Sequence, residues 1–436
     1  MHALISQLRM HTHTHTHTHT HTHTHTGRVR AVGMGNATDH VWFTAPPARD
    51  AADAARRTSV VFFGGDSCSD IAQSGSADDQ DILRLGAPSH VLAILRRKFS
   101  RDGGGGVNVF VVEPTRVDAG VWACYDNFLE GTKSGEPARG YRQDGHATRH
   151  LAFLLALLFS HIASSRPGSS GGGAGREAAC EKTQFHKSHA CLAAPSPCCS
   201  VYGSDVDAAL GQVAWGAVIL VGFSKGGVVL NQILAEAGAS GAGGAGAVGG
   251  GWGGAAVGGD AFDNAGAGAG HVSAGASAAA GEDAAGPADR CCQHRAEPRA
   301  PPTASGATCV EEAGSASLRA VGGKMLAALR VDVMHYVDAG LNNRGAYLTH
   351  AHQLSTAGRC RGAGSPRALR ICLHGTPRQW EDRRRAWVAD EKQRMVSLAA
   401  AARLDVHQRM YFAGERPSLA MHFRCLEAFD PALGAG

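Results

Sequence analysis

Residues 218–236, VILVGFSKGGVVLNQILAE, constrain the fold more than any other stretch of the chain. Val218, Ile219, Leu220 and Val221 form a β-rich apolar run of the kind that builds a buried strand. Gly222-Phe223-Ser224-Lys225-Gly226 is a GxSxG turn, and beyond Val228 the apolar Val229, Leu230, Ile233 and Leu234 recur at helical spacing. The local order is strand, sharp turn, helix, with the helix packing back on the strand and Ser224 lifted out of the sheet edge. GxSxG recurs by chance in glycine-rich chains, so its setting between a buried strand and an apolar helix carries the information.

The remaining ordered segments repeat that alternation. Buried strands are expected at 41–44, at 60–63 ending in Gly64-Gly65-Asp66, at 107–112, 331–338, 369–374 and 404–412. Helical patterns run over 81–100 with an interruption near Gly86 and Pro88, over 145–162, around 324–330, through Trp387 to Ala402, and over 417–428 with Pro417 near the first turn. Alternating strands and helices argue for α/β architecture, a mostly parallel sheet with crossover helices. Two blocks interrupt it. Residues 164–212 are rich in Gly, Ser, Cys and Pro, and 237–315 are dominated by Gly and Ala; neither has enough large apolar residues to offset the entropy of ordering, so both read as disordered insertions. The expected organisation is a low-complexity leader at 1–33, one domain assembled from 34–163, 213–236 and 316–436, and the two insertions between its parts.

A formal charge of +4 over 436 residues, with no Lys/Arg stripe interleaved with aromatics, does not indicate nucleic-acid binding. No apolar run reaches the roughly 20 residues of a membrane span. The nearest, LAFLLALLFSHI at 151–162, is short, carries a His, and reads as a buried helix. The twelve cysteines form no repeated CxxC pairs; Cys124, Cys372 and Cys425 sit in apolar contexts that suit buried thiols, and a reducing compartment fits best. Eight His-Thr pairs run from His11 to Thr26. Alternating CAC and ACA codons would encode such a tract as a translated dinucleotide repeat, the favoured reading because nothing fixes the imidazoles in one geometry; a metal-binding His tract is the alternative, and Met34 is an alternative start.

Serine attacks a carbonyl only when a base removes its proton and an acid holds that base. In a sheet of this kind the chain order is Ser, then acid, then His. Ser224 is the nucleophile and His422, after the last strand, is the base. Asp338 ends the strand that follows the serine helix, and Asp382 lies in the loop after the next strand. Asp382 is the favoured acid because that later loop is its commoner place in such a sheet; its alternative role is an ion pair with Arg383 to Arg385. The backbone N–H of Lys225, with that of Gly65 or Asp66, would form the oxyanion hole. The Lys225 side chain would either attract an anionic substrate group or remain solvated at the start of the helix.

VVFFGGD at 60–66, CYDNF at 124–128, GFSKGGVVLNQIL at 222–234, YVDAG at 336–340, HGTPRQWEDRRRAW at 374–387 and ERPSLAMHFR at 415–424 occur in one order along the chain. With these blocks the sequence resembles the chromosome 2 open reading frame 69 protein family, which is of α/β-hydrolase type. The resemblance implies an α/β-hydrolase-like fold and a mitochondrial location linked to energy metabolism, with the cytoplasm as the alternative; it supplies no substrate. Ser224, Asp338, Asp382 and His422 all fall in the matching blocks. The expected activity is serine hydrolysis of an ester, thioester or lipid-like acyl substrate without cofactor or metal. The competing expectation is a non-catalytic binding or assembly factor of the same fold.

Overall fold

Strands that are apolar on both faces need cover on both sides, and a parallel sheet between two helical layers provides it. The computed structural model describes residues 12–13, 24–32, 37–67, 77–100, 106–165, 215–237, 328–360 and 368–435. The first half contains β1 (Thr12–His13), β2 (His25–Val32), β3 (Thr38–Ala45), α1 (Ala51–Ala55), β4 (Ser59–Phe63), α2 (Ala77–Gly86), α3 (Pro88–Phe99) and β5 (Asn108–Val112). A small hairpin of β6 (Arg116–Asp118) and β7 (Trp122–Cys124) precedes α4 (His146–Ser164). The second half contains β8 (Val218–Phe223), α5 (Gly227–Ala237), β9 (Val331–Val337), α6 (Ala351–Cys360), β10 (Arg370–Gly375), α7 (Pro377–Trp380), α8 (Ala386–Ala401), β11 (Asp405–Met410) and α9 (Leu419–Ala428).

The main sheet has the order β1-β2-β3-β5-β4-β8-β9-β10-β11. Every pair from β5 to β11 is parallel, while β1, β2 and β3 join antiparallel at one end. This is an α/β-hydrolase-like sheet, mostly parallel and flanked by helices. Period-two alternation divides its side chains between two cores. Val61 and Phe63 of β4 and Leu220 of β8 face a core shared with α4 and α5, whereas Val60, Phe62, Val221 and Phe223 face a second core built with α2, α3 and α9.

Three expectations are revised. The leader does not extend through residue 33: His25–Val32 is a strand paired with β3, and Val29 and Ala31 alternate into the core. β8 continues past Val221 to Phe223, so the turn begins at Ser224. The last helix starts at Leu419 rather than Pro417, with the Ser418 hydroxyl accepting from Met421 N at 3.1 Å as its cap. Most of the segments 164–212 and 237–315, and most of the helix expected around 324–330, lie outside the described residues.

By length and composition α4 could cross a membrane, but in this fold Leu151, Leu154, Leu155 and Leu158 are buried in the first core. Its N-terminus has no side-chain cap of its own, because the preceding Gly145 carries none. The Glu236 carboxylate of α5 takes that place. It accepts from Ala147 N at 2.9 Å, Thr148 N at 2.8 Å, Thr148 Oγ1 at 2.7 Å and Gln232 Nε2 at 2.8 Å. A carboxylate at a helix N-terminus meets unpaired N–H groups and the positive end of the helix dipole. Burial nonetheless pushes its pKa up, to about 7, against those four donors. Glu236→Ala leaves the donors unpaired in the core and is expected to cost about 3–5 kcal/mol, read from urea unfolding. A loss below about 1 kcal/mol would contradict this role.

Candidate active site

At the end of β8 the backbone turns so tightly that Ser224 takes φ +53, the left-handed region that side chains with a Cβ rarely adopt. Two glycines make the turn feasible. A Cβ on Gly226 would lie 2.1 Å from Phe63 O, and one on Gly222 would lie 2.8 Å from Gly226 O. Ser224 is half-buried and faces a cavity of about 270 Å³ at the C-terminal edge of the sheet, which His422 also lines.

His422 sits in the first turns of α9 with its ring stacked on Phe223, centroids 4.5 Å apart. Its Nδ1 lies 2.6 Å from Asp338 Oδ2. A carboxylate only accepts, so Nδ1 carries the hydrogen, and in the neutral ring Nε2 then holds the free lone pair. Asp338 is fully buried just past the end of β9 at φ +47. Its Oδ1 accepts from Thr376 N at 2.7 Å and its Oδ2 from Thr376 Oγ1 at 3.0 Å, while its own N donates to His374 O at 2.6 Å. Thr376, absent from the sequence-derived site, therefore orients the acid; its only local signal is its position directly after a buried strand.

Asp382, the acid favoured from sequence, is not placed against His422. It caps the 3₁₀ turn Arg383–Arg385, with Oδ1 accepting from Arg384 N and Oδ2 from Arg385 Nε, both at 2.9 Å. Burial would raise its pKa, but the hydrogen bonds from Arg385 and Arg384 prevail and hold it below the usual carboxylate range. The ion-pair alternative describes it. The two loops follow neighbouring parallel strands, and the register that pairs Val337 with His374 brings Asp338 beside Thr376.

Lys225 is neither solvated nor available to an anionic substrate. It is 2% exposed. Its Nζ lies 2.7 Å from Asp66 Oδ1, donates to Ser134 O at 2.6 Å, and stands 4.5 Å from the Trp122 ring centroid. Asp66 Oδ1 also accepts from Ala123 N at 2.8 Å, and Tyr125 Oη donates to Gly64 O at 2.9 Å. The turns after β4 and β8, which carry the three oxyanion-hole candidates Gly65, Asp66 and Lys225, are thus tied together and to the β6–β7 hairpin. Gly65 lies directly against the serine: a Cβ there would be 2.6 Å from Ser224 Cβ and 3.0 Å from Oγ. Gly65→Ala is expected to keep the fold and reduce ester turnover by about 10²-fold, checked by kcat and melting temperature together. Turnover within threefold of wild type would show that this close approach is dispensable.

The Ser224 hydroxyl makes no hydrogen bond among the described residues. Such contacts often tighten only when substrate is bound. The same cavity is lined by Asn342, Arg378 and Gln379; Gln379 Oε1 is buried without a hydrogen-bond partner among the described residues, a feature the sequence did not signal.

Among the described residues one His/Cys group could share a metal ion. His335, Cys372 and His374 offer ligand atoms within 4.8 Å of one another, all buried beneath the acid. The two histidines already belong to a core chain in which Asp430 N donates to Tyr411 Oη at 2.9 Å, with Tyr411 Oη 3.0 Å from His374 Nδ1 and His374 Nε2 3.0 Å from His335 Nδ1, while Cys372 Sγ donates to Leu433 O at 3.3 Å. Burial pushes His335 down to about 3 and His374 well below its ordinary value, and pushes the Cys372 thiol up to about 12. Neutral imidazoles and a protonated thiol suit that chain.

Residues 28–242 match the family C2orf69. The chain resembles that family. The C2orf69 match takes in Gly65, Asp66, Ser224 and Lys225 and ends before Asp338 and His422. No curated protein sequence matches the chain. Among solved structures it is similar to the siderophore hydrolase EstB from Aspergillus nidulans, at 10% identity and a TM-score of 0.35, covering 94% of each chain. It is also similar to an acetyl xylan esterase from Paenibacillus sp. R4, at 11% identity and a TM-score of 0.31, covering 98% of this chain and 91% of that one. Likenesses this distant leave the fold to be read from the strand order, and the substrates in those names belong to those proteins.

Proposed function

We propose that this protein is a serine hydrolase acting on an ester, thioester or lipid-like acyl substrate. The observation that carries the reading is a serine held at φ +53 on the turn after β8, in the same cavity as a histidine whose Nδ1 lies 2.6 Å from a buried aspartate. Ser224 Oγ attacks the acyl carbon, forming a C–O bond, as His422 Nε2 takes its proton. The carbonyl oxygen becomes an oxyanion held by backbone N–H groups from Lys225 and from Gly65 or Asp66. Collapse breaks the bond to the leaving group, which receives the proton from His422. Water then repeats the sequence: His422 takes its proton, its oxygen attacks the acyl carbon, and Ser224 departs with that proton as the carboxylic acid is released. Asp338 orients the imidazole throughout and stabilises its charged form. Asp382 has no part in the step.

The test is release of p-nitrophenol from p-nitrophenyl butyrate by the wild-type chain, with Ser224→Ala as control. Turnover lost in the variant supports the hydrolase. A folded wild-type chain that turns over no acyl ester favours the binding or assembly factor of the same fold, a reading that accords with a Ser224 hydroxyl that makes no hydrogen bond among the described residues.

A further inference from the structure

A second cavity, of about 500 Å³, adjoins the one that holds Ser224 and His422. Asp66, Phe223 and Phe423 line both, and Gly65, pressed against Ser224, lines the larger. Its interior is formed by Ile82, Val91, Val111 and Leu426 together with the two phenylalanines, in the second core between the sheet and α2, α3 and α9. At its rim Arg28 and Glu113 neutralise each other, with Arg28 Nε 3.1 Å from Glu113 Oε2. His40 stands beside them, its pKa lowered by burial and by Arg28. Among the described residues the rim leaves no unbalanced charge to call for an ionic ligand. The smaller cavity is more polar, with Gln379, Asn342, Arg378 and His422 in its lining beside Trp122 and Leu341.

The geometry points to a division of the substrate at Ser224: a medium-length apolar acyl chain occupies the larger cavity, and a polar, hydrogen-bonding leaving group occupies the smaller. This rests on Ser224 acting as the nucleophile. The sides follow from the chemistry of the step. Of the oxyanion-hole candidates Asp66 lines both cavities and Lys225 only the smaller, but Gly65, the one pressed against Ser224, lines only the larger, so the acyl chain leaves the carbonyl past Gly65, where the apolar cavity opens. His422 must hand its proton to the leaving group, and His422 lines only the smaller cavity, so that group lies there, among Asn342, Arg378 and Gln379. A volume of about 500 Å³ is within the roughly 300–1,000 Å³ of small-molecule sites and suits a chain such as octanoyl or decanoyl.

Each methylene moved from water into such a cavity favours the longer chain by roughly fourfold at most. Wild-type kcat/KM on p-nitrophenyl esters is therefore expected to rise from acetyl to decanoyl by roughly 30-fold or more. Ala87, at the N-terminal end of α3, and Leu83 of α2 line the larger cavity and are not fully buried, so Ala87→Trp and Leu83→Trp fill it from a tolerant edge. Each is expected to lower the decanoyl-to-acetyl ratio of kcat/KM by roughly tenfold or more. A wild-type preference for acetyl, or an unchanged ratio in both folded variants, overturns the assignment. Sodium decanoate titrated calorimetrically into Ser224→Ala separates this inference from the one beneath it. Binding that Ala87→Trp removes, with no turnover by the wild type, upholds the chain site and rejects the nucleophile. Turnover without chain selectivity, and no decanoate binding, does the reverse.

Discussion

Asp338→Asn is expected to lower ester turnover by about 10⁴-fold with the fold retained, while Asp382→Asn stays within about threefold of wild type. The asparagine keeps an oxygen for Thr376 but turns an NH₂ toward His422 in place of Oδ2. His422 Nδ1 must then accept that hydrogen, which moves the ring's own hydrogen to Nε2, where the serine proton should go. The wrong tautomer removes the base without moving it. Among the described residues Asp382 accepts hydrogen bonds from Arg384 and Arg385 at the edge of its loop, and its loss affects a partly exposed turn. Parallel kcat and melting-temperature measurements on the two variants decide between the acids. A large loss in Asp382→Asn with Asp338→Asn near wild type would reverse the assignment.

Ser224→Ala is expected to remove about 10⁶-fold of turnover, leaving what bound-substrate orientation and backbone N–H groups provide. The combination matters more than the single figure. If Ser224, His422 and Asp338 act as one unit, Ser224→Ala/Asp338→Asn should be no slower than Ser224→Ala alone, because an oriented base has nothing to deprotonate once the hydroxyl is gone. A double variant slower by a further 10³-fold would mean that Asp338 supports turnover by a route that bypasses the serine.

The architecture was legible where the sequence pattern was local. VVFF, VFVV and VILV are apolar on both faces and became the central strands, and the glycines of GFSKGG mark a turn that close backbone approach requires. β2 was legible in principle, since Val29 and Ala31 alternate with Arg28 and Arg30, but its period was masked by the adjoining His-Thr repeat. The acid was not. Two aspartates follow neighbouring parallel strands, and the choice between them depends on strand register and on Thr376, a partner 38 residues away in the chain. Lys225 misled for the same reason: a lysine at a helix start is ordinarily solvated, and only Asp66, Trp122 and Ser134, brought in from other segments, bury it. Glu236 likewise reads as an exposed helix residue until the end of α4 is set against it.

The nucleophile itself is tested most directly by covalent capture. The full-length protein is incubated with a fluorophosphonate, which phosphonylates a serine activated by a neighbouring base, and the adduct is located by peptide mass spectrometry. The expected result is one adduct, on the peptide containing Ser224, absent from Ser224→Ala and strongly slowed in Asp338→Asn. Labelling that persists unchanged in Ser224→Ala, or a folded wild-type protein that takes up no probe, would contradict the account.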